Sequence, residues 1–370
     1  VSWRGIGVAL AIVPLNTYWI ALTEMVWSSL HFTAASLPLN VIFILLFVVL
    51  LNGVLRRLRP RLALSRSDLL VIYILLAVSS AVSGYDSLVA LMGILPHATW
   101  FATTENDWTA MFGGRLPRWL VVADGRAVRD FYVGGARFYR DGLWRAWLEP
   151  SAAWATFILA LGLFLLCLTV LIRRPWTEDE KLAYPIIQLP LRMSDPGERM
   201  FRSTFLWIGF GVAAVVDVLN GLNYLYPSLP SVPVRTILLD RYVTNRPWSA
   251  IGWTPIRFQF FMVGMTYLLP LDLLVSCWFF YLFRKALQVA GSVAGWTNVP
   301  GFPFAGSQAM GGLIGVAAIA LWSVHRHLAG ALRRATGAAE SGHDADRAAY
   351  RWAWLGVLAL GGLLGVFALG

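Results

Sequence analysis

A chain of 370 residues that is 58% hydrophobic and only 14% charged, with a mean hydropathy of +0.64, lies outside the range of soluble globular domains. The net charge of +10 does not mark a nucleic-acid binder, because the basic residues sit in short clusters between apolar runs, where such clusters set orientation across a bilayer. Runs such as "WATFILALGLFLLCLTVLI" are apolar on every side, which points to membrane helices and excludes the alternating segments of a barrel.

In chain order, the first span is expected from Ile6 to Val26. It carries Asn16 and Glu24, and no small-residue cleavage site follows a short apolar core, so it reads as a retained helix and not a signal peptide. A polar link with His31 leads to the second span, Leu37 to Val54. The cluster Arg56, Arg57, Arg59, Arg61 and Arg66 then places the next loop in the cytoplasm. Ser65 or Ser67 is placed to cap a third span, Leu69 to Met92, whose far end "SSAVSGYDS" holds small residues that permit close helix packing. Glu24 and Asp86, near external span ends, read as capping or interfacial pairing groups.

Residues 93–150 form an extracytoplasmic insertion, in which Trp100, Trp108, Trp119, Trp144 and Trp147 suit an interfacial belt or a small packed cap. The fourth span, Ala152 to Ile172, returns the chain to a basic cytoplasmic loop at 173–203, and the fifth runs from Phe205 to Tyr226. The sixth, Phe258 to Phe283, has Pro270 and Asp272 near its middle and Arg284 and Lys285 beyond its inner end. The seventh, Met310 to Val324, ends in the basic "HRHLAGALRR". For both ends to be cytoplasmic, residues 286–308 must cross, or dip in and return. They are too rich in Gly and Pro for a lipid-facing helix, so a broken crossing is favoured and re-entry is the alternative. Residues 325–350 form a cytoplasmic linker, and 351–370 begin a further span.

The expected fold is an all-α polytopic transmembrane bundle of about eight clear spans plus a broken or re-entrant segment. Residues 1–92 hold spans one to three and 151–324 hold spans four to seven, with the N-terminus cytoplasmic. The chain starts without Met and stops inside an apolar run, so a longer parent protein is expected.

Polar groups within spans mark solute or ion pathways. Asp217, Asn220 and Tyr224 share a helical face, with Asn223 beside them. Asp272 lies two residues after Pro270, which frees backbone carbonyls for a cation or proton site. Asn298 and Gln308 flank "VPGFPFAGS", which offers backbone donors to a solute. For each of these the alternative is a contact between helices. In "RRPWTEDEKLAYPIIQLPLRM", Thr177 and Glu180 have capping-box spacing, and Pro185 and Pro190 interrupt the apolar stretch after them. Glu180, Tyr184, Pro185, Gln188 and Pro190 would form a cytoplasmic mouth that lines a cavity, or else a ledge on the inner leaflet. Cys167 and Cys277 lie inside spans and give no disulfide or zinc signal, and His325, His327 and His343 lack carboxylates at metal-ligand spacing. There is no nucleophile elbow, phosphate-binding loop or HExxH, and neither an enzyme nor a cofactor is expected.

The opening "VPLNTYWI", "PRLALSRSDLLVIYILLAVSSAVSGYDS", "WFATTENDW" and the "RRPWTEDEKLAYPIIQLPLRM" stretch resemble a bacterial family of large multispanning membrane proteins of uncharacterised function, over most of the chain. "EKLAYP" is more distantly similar to oligopeptide and metal-chelate transporters at the step into a membrane element, through Lys181, Leu182, Tyr184 and Pro185. The Gly and Ala of that pattern are here Ile186, Ile187 and Gln188. The resemblance implies cation-coupled uptake of a peptide-like or metal-chelate solute.

The expected function is that of a proton-coupled secondary transporter in a bacterial inner membrane. Its partners are the lipid bilayer, a small polar solute, and further copies or other membrane subunits. An accessory subunit of a larger complex and a membrane enzyme on a lipid-linked substrate are the rival readings.

Overall fold

A computed structural model describes residues 2–28, 31–35, 37–181, 184–195, 200–234, 236–296, 299–336 and 344–369. Among them, eight helical segments are long and apolar enough to cross a membrane, and the chain is an all-helical integral membrane protein. The helices are α1 (Trp3–Ile20), α2 (Leu39–Leu58), α3 (Arg66–Ser83), α4 (Ala90–Trp100), α5 (Trp108–Met111), α6 (Gly125–Val133), α7 (Trp144–Arg174), α8 (Pro185–Met193), α9 (Thr204–Leu225), α10 (Phe260–Leu268), α11 (Leu271–Val293), α12 (Ala305–Ala335) and α13 (Asp344–Leu369). The short strands β1 (Ile237–Leu238) and β2 (Pro255–Ile256) pair antiparallel, Ile237 opposite Ile256. Three helices continue into wider π-type turns: α1 into Ala21–Val26, α3 through Gly84 into Tyr85–Val89, and α7 into Pro175–Asp179.

The chain divides into two compact units. The first holds Val1–Val13, Leu39–Ala77 and Ala183–Ala318. Its core gathers Ala9 of α1, Val41 and Leu45 of α2, Leu69, Ile72 and Leu76 of α3, and Met193 of α8. Ser65 caps α3 as the sequence suggested. Its hydroxyl accepts from Asp68 N–H (3.2 Å), and the Asp68 carboxylate accepts from Ser65 N–H (2.9 Å) and from the hydroxyl of Ser2. In the second unit, Pro14–Pro38, Val78–Leu182 and Ile319–Gly370, α7 and α13 lie antiparallel. Leu171 meets Ala353 at one end and Phe157 meets Phe367 at the other, their ring centroids 5.5 Å apart. A Cβ on Gly356 would come within 2.4 Å of Cys167 Sγ, so this contact requires glycine.

Several sequence expectations are corrected. The third span runs to Trp100 and the fourth begins at Trp144, because the Trp-rich flanks of the insertion are themselves helical. Between them the insertion packs Leu95, Val122, Ala127, Val128 and Trp147 into a small core, so the cap reading holds for the buried Trp147. Trp100 stacks on Tyr132 at 4.8 Å, and burial raises the pKa of the Tyr132 phenol.

The Thr177 to Glu180 spacing does not start a helix. Thr177 Oγ1 donates back to Arg173 O (2.9 Å), Arg174 pairs with Glu178 (2.9 Å), and the segment closes α7, where Glu180 N–H reaches Pro175 O (2.9 Å). Pro175 can give no N–H, and the helix widens as it passes this residue. The next helix begins instead with Pro185 as its first residue, and Pro190 is accommodated inside it.

The expected sixth span is divided at Leu269 and Pro270, so Pro270 starts α11 and does not kink a longer helix. Residues 286–293, expected within a broken segment, complete α11, and the connection to α12 is only 294–304. Lys285 consequently lies inside a span. It is buried, with Nζ donating to Ile251 O (2.7 Å) and Trp253 O (3.0 Å) beneath the Tyr281 ring.

Replacing Gly356 by Val is expected to force α7 and α13 apart and to destabilise the protein by about 1–3 kcal/mol, seen as a lower unfolding temperature in detergent. Gly362→Val, on the same helix but facing open space, should leave that temperature unchanged.

Candidate functional site

Of the polar residues singled out on the later spans, Asn220, Asn223 and Gln308 fasten chain to chain. Asn220 Oδ1 accepts from Val232 N–H (2.8 Å) and Asn223 Nδ2 donates to Leu229 O (2.6 Å), which ties the loop after α9 back onto its end. Tyr224 is 86% exposed. Asp217 and Asp272 are also exposed. Asp272 lies in the first turn of α11, where a carboxylate suits the helix dipole. Gln308 donates to Pro303 O (2.7 Å), and Asn298 lies outside the described residues.

At the proposed mouth, Glu180 is exposed at the end of the widened turn. Tyr184 adopts left-handed geometry (φ +42°) ahead of Pro185, which disfavours a right-handed helical residue before it. Tyr184, Pro185 and Gln188 are half-buried and Pro190 is buried. The helix they begin packs against α2 through Leu189 and Met193.

The polar groups that do converge lie on the first and third spans, within the second unit. Asn16 donates to Ser80 Oγ (3.0 Å), and the Thr17 and Ser79 hydroxyls are 3.4 Å apart. Two turns further along the first span, past the end of α1, this seam ends at Glu24, a carboxylate only 1% exposed. Thr33 N–H donates to Oε1 (2.9 Å) and Tyr85 N–H donates to Oε2 (2.9 Å), while Thr33 Oγ1 lies 2.8 Å from both oxygens. Aromatic contacts enclose the group. Phe32 lies against Trp19 (5.4 Å between centroids) and His31 against Tyr85 (4.1 Å).

Local sequence explains the assembly. Glu24 sits in the π-type turn Ala21–Val26, and Tyr85 opens the one at Tyr85–Val89, where its N–H has no partner one helical turn back and is free to meet the carboxylate. Gly84 permits the approach, since a Cβ there would fall 2.3 Å from Thr33 Oγ1. Asp86, the next carboxylate, is exposed. The sequence displayed Asn16, Glu24 and "SSAVSGYDS" but not Thr33, which reaches Glu24 from the short 3-10 turn Phe32–Ala34, nine residues on.

No ion pair to Glu24 forms among the described residues, and no three His, Cys, Asp or Glu side chains gather there to hold a metal. The arrangement can nevertheless hold two protonation states. A charged carboxylate receives two N–H groups and one O–H. A neutral carboxyl keeps both N–H groups and turns its proton toward the Thr33 oxygen, which can accept as well as donate.

Thr33→Val should remove that reversible partner and lower stability by about 1–3 kcal/mol, while Thr33→Ser should stay near wild type; thermal unfolding in detergent distinguishes them.

The chain belongs to a family of unknown function, DUF6785, whose family model matches residues 1–370. No curated protein and no solved structure matches it.

Proposed function

We propose that this membrane protein is a secondary-transporter-like carrier of a small polar solute, with Glu24 as the group that takes up and releases a proton. The observation that carries the reading is the Glu24 carboxylate itself. It is buried in a membrane span, bonded among the described residues to neutral donors, and paired with a hydroxyl that serves either protonation state. An ionisable group buried this fully is costly to keep, which favours a working role over a purely structural one. Interrupted helices support the same reading, because transporters expose backbone groups where helices break or widen. Here the interruptions are the π-type turns beside Glu24 and the division at Pro270. A peptide-like or chelate solute rests on the resemblance around Tyr184 and Pro185 alone. The protein is read as a carrier and not an enzyme. The rival reading, a subunit of a larger complex, draws on Gly311, Gly312 and Gly315 of α12, which leave an open small-residue face.

A cytoplasmic N-terminus in a bacterial inner membrane is part of the proposal. The basic end of α7 (Arg173, Arg174) and that of α12 (Arg334) come together at Tyr350 of α13, as expected for cytoplasmic ends. The chain from the end of α7 to the start of α13 must then cross an even number of times, and α9, α11 and α12 supply three crossings. The fourth is assigned to Thr254–Leu269, which runs antiparallel to α11. Its start is held by Lys285, about 21 Å along α11 at 1.5 Å per residue, and its helix α10 packs on α8. Single cysteines in a Cys-free background test this. Position 299 should label from outside and position 333 should not, and the reverse pattern would overturn the assignment.

In proteoliposomes carrying an internal pH dye, a panel of small peptides, metal chelates and other polar solutes should include one that drives proton entry with the wild type. Glu24→Gln, reconstituted to the same level, should lose that proton entry. Equal proton entry in both proteins would remove Glu24 from the mechanism.

A further inference from the structure

The first unit contains a cavity that the transport reading does not use. It has a volume of about 370 Å³ and lies at the basic end of α2. Its polar wall is formed by Arg56 and Arg57 from the last turn of α2 and by Ser194 and Asp195 just after α8, and its apolar wall includes Leu50, Leu69 and Phe201.

The polar wall is held in place. Asn52 clamps Leu64, accepting from its N–H (2.7 Å) and donating to its carbonyl (3.1 Å), and one nitrogen of Arg56 donates to the same carbonyl (3.1 Å). Asp195, the one carboxylate among the described residues of the wall, is already engaged by Arg66 (3.2 Å). Among those residues the Arg56 and Arg57 guanidiniums therefore face the cavity with its carboxylate already paired. The Ser194 hydroxyl is buried at 1% exposure and has no hydrogen-bond partner among the described residues, an arrangement that is costly unless something completes it.

We propose that this cavity binds a phosphoryl group. The Arg56 and Arg57 guanidiniums supply charge-assisted donors with the planar geometry that suits phosphate oxygens, and Ser194 donates to a third oxygen. The apolar wall beside them suits the glycerol and first methylenes of an anionic phospholipid whose headgroup carries the phosphate. A soluble phosphate compound offers the same chemistry without the chain. The site shares no residue with the Glu24 cluster and does not depend on any role in transport.

The test measures unfolding temperature for the wild type, Arg57→Gln and Ser194→Ala in a phosphate-free maltoside detergent alone, in that detergent with added phosphatidylglycerol, and in that detergent with added inorganic phosphate. Arg57 is exposed, and Ser194→Ala removes an unpaired hydroxyl, so both variants should fold as well as the wild type in the detergent alone. The wild type should be stabilised by phosphatidylglycerol, and titrating that lipid should show roughly tenfold weaker binding to each variant. Stabilisation by inorganic phosphate alone, again lost in the variants, would support the site and identify a soluble source. No stabilisation by either ligand, or equal stabilisation of wild type and variants, would overturn the proposal.

Discussion

The constraint on which this structure depends is that a polar group carried into hydrocarbon must find its partners within the protein. Glu24 meets it with two backbone N–H groups and one hydroxyl, and the surrounding features arise from that need. The helix that carries Glu24 and the helix that supplies Tyr85 are both widened beside the carboxylate, and a glycine stands where any side chain would displace Thr33. Widened turns are rarer than α-helix and are frequent at functional sites. Finding two of them at one buried carboxylate is what separates this site from an ordinary contact between helices.

The same constraint explains the rest of the polar inventory. Asn220 and Asn223 satisfy the loop that follows α9, and Lys285 satisfies two carbonyls ahead of β2, which fixes the chain that turns back along α11. The Asn220 and Asn223 bonds are local and exposed, whereas Lys285 is buried and reaches back more than thirty residues. Removing Lys285 would leave two backbone carbonyls short of a donor. At the basic end of α2 the constraint is met incompletely, because the buried Ser194 hydroxyl has no hydrogen-bond partner among the described residues.

Much of the fold was legible because a span needs only length and apolarity, and both can be read directly from the sequence. Boundaries were less legible. The Trp-rich flanks of the insertion continue as helix because aromatic side chains pack there against Val122 and Tyr132, a contact that no local pattern announces. Thr177 and Glu180 have the spacing of a helix start, yet the same spacing arises at a helix end, and the decisive residue was Pro175 ahead of them. Lys285 reads as a marker of a cytoplasmic edge until the carbonyls of Ile251 and Trp253 are seen to satisfy it. Asp217 and Asp272 drew notice as intramembrane carboxylates, whereas Glu24 was discounted for lying near a span end. What distinguishes Glu24 is burial and the hydroxyl of Thr33, and both come from chain distant along the helix or outside it.

The most direct test of the account is a pH-difference infrared spectrum of the protein in lipid, compared with that of Glu24→Gln. A Glu24 that exchanges protons between two bonded states should give a band from a hydrogen-bonded neutral carboxyl that rises as pH falls, with a matching loss of carboxylate signal, and both features should be missing from the variant. Identical difference spectra for the two proteins across the pH range in which the fold survives would contradict the account, and would leave Glu24 as a fixed structural clasp between the first and third spans.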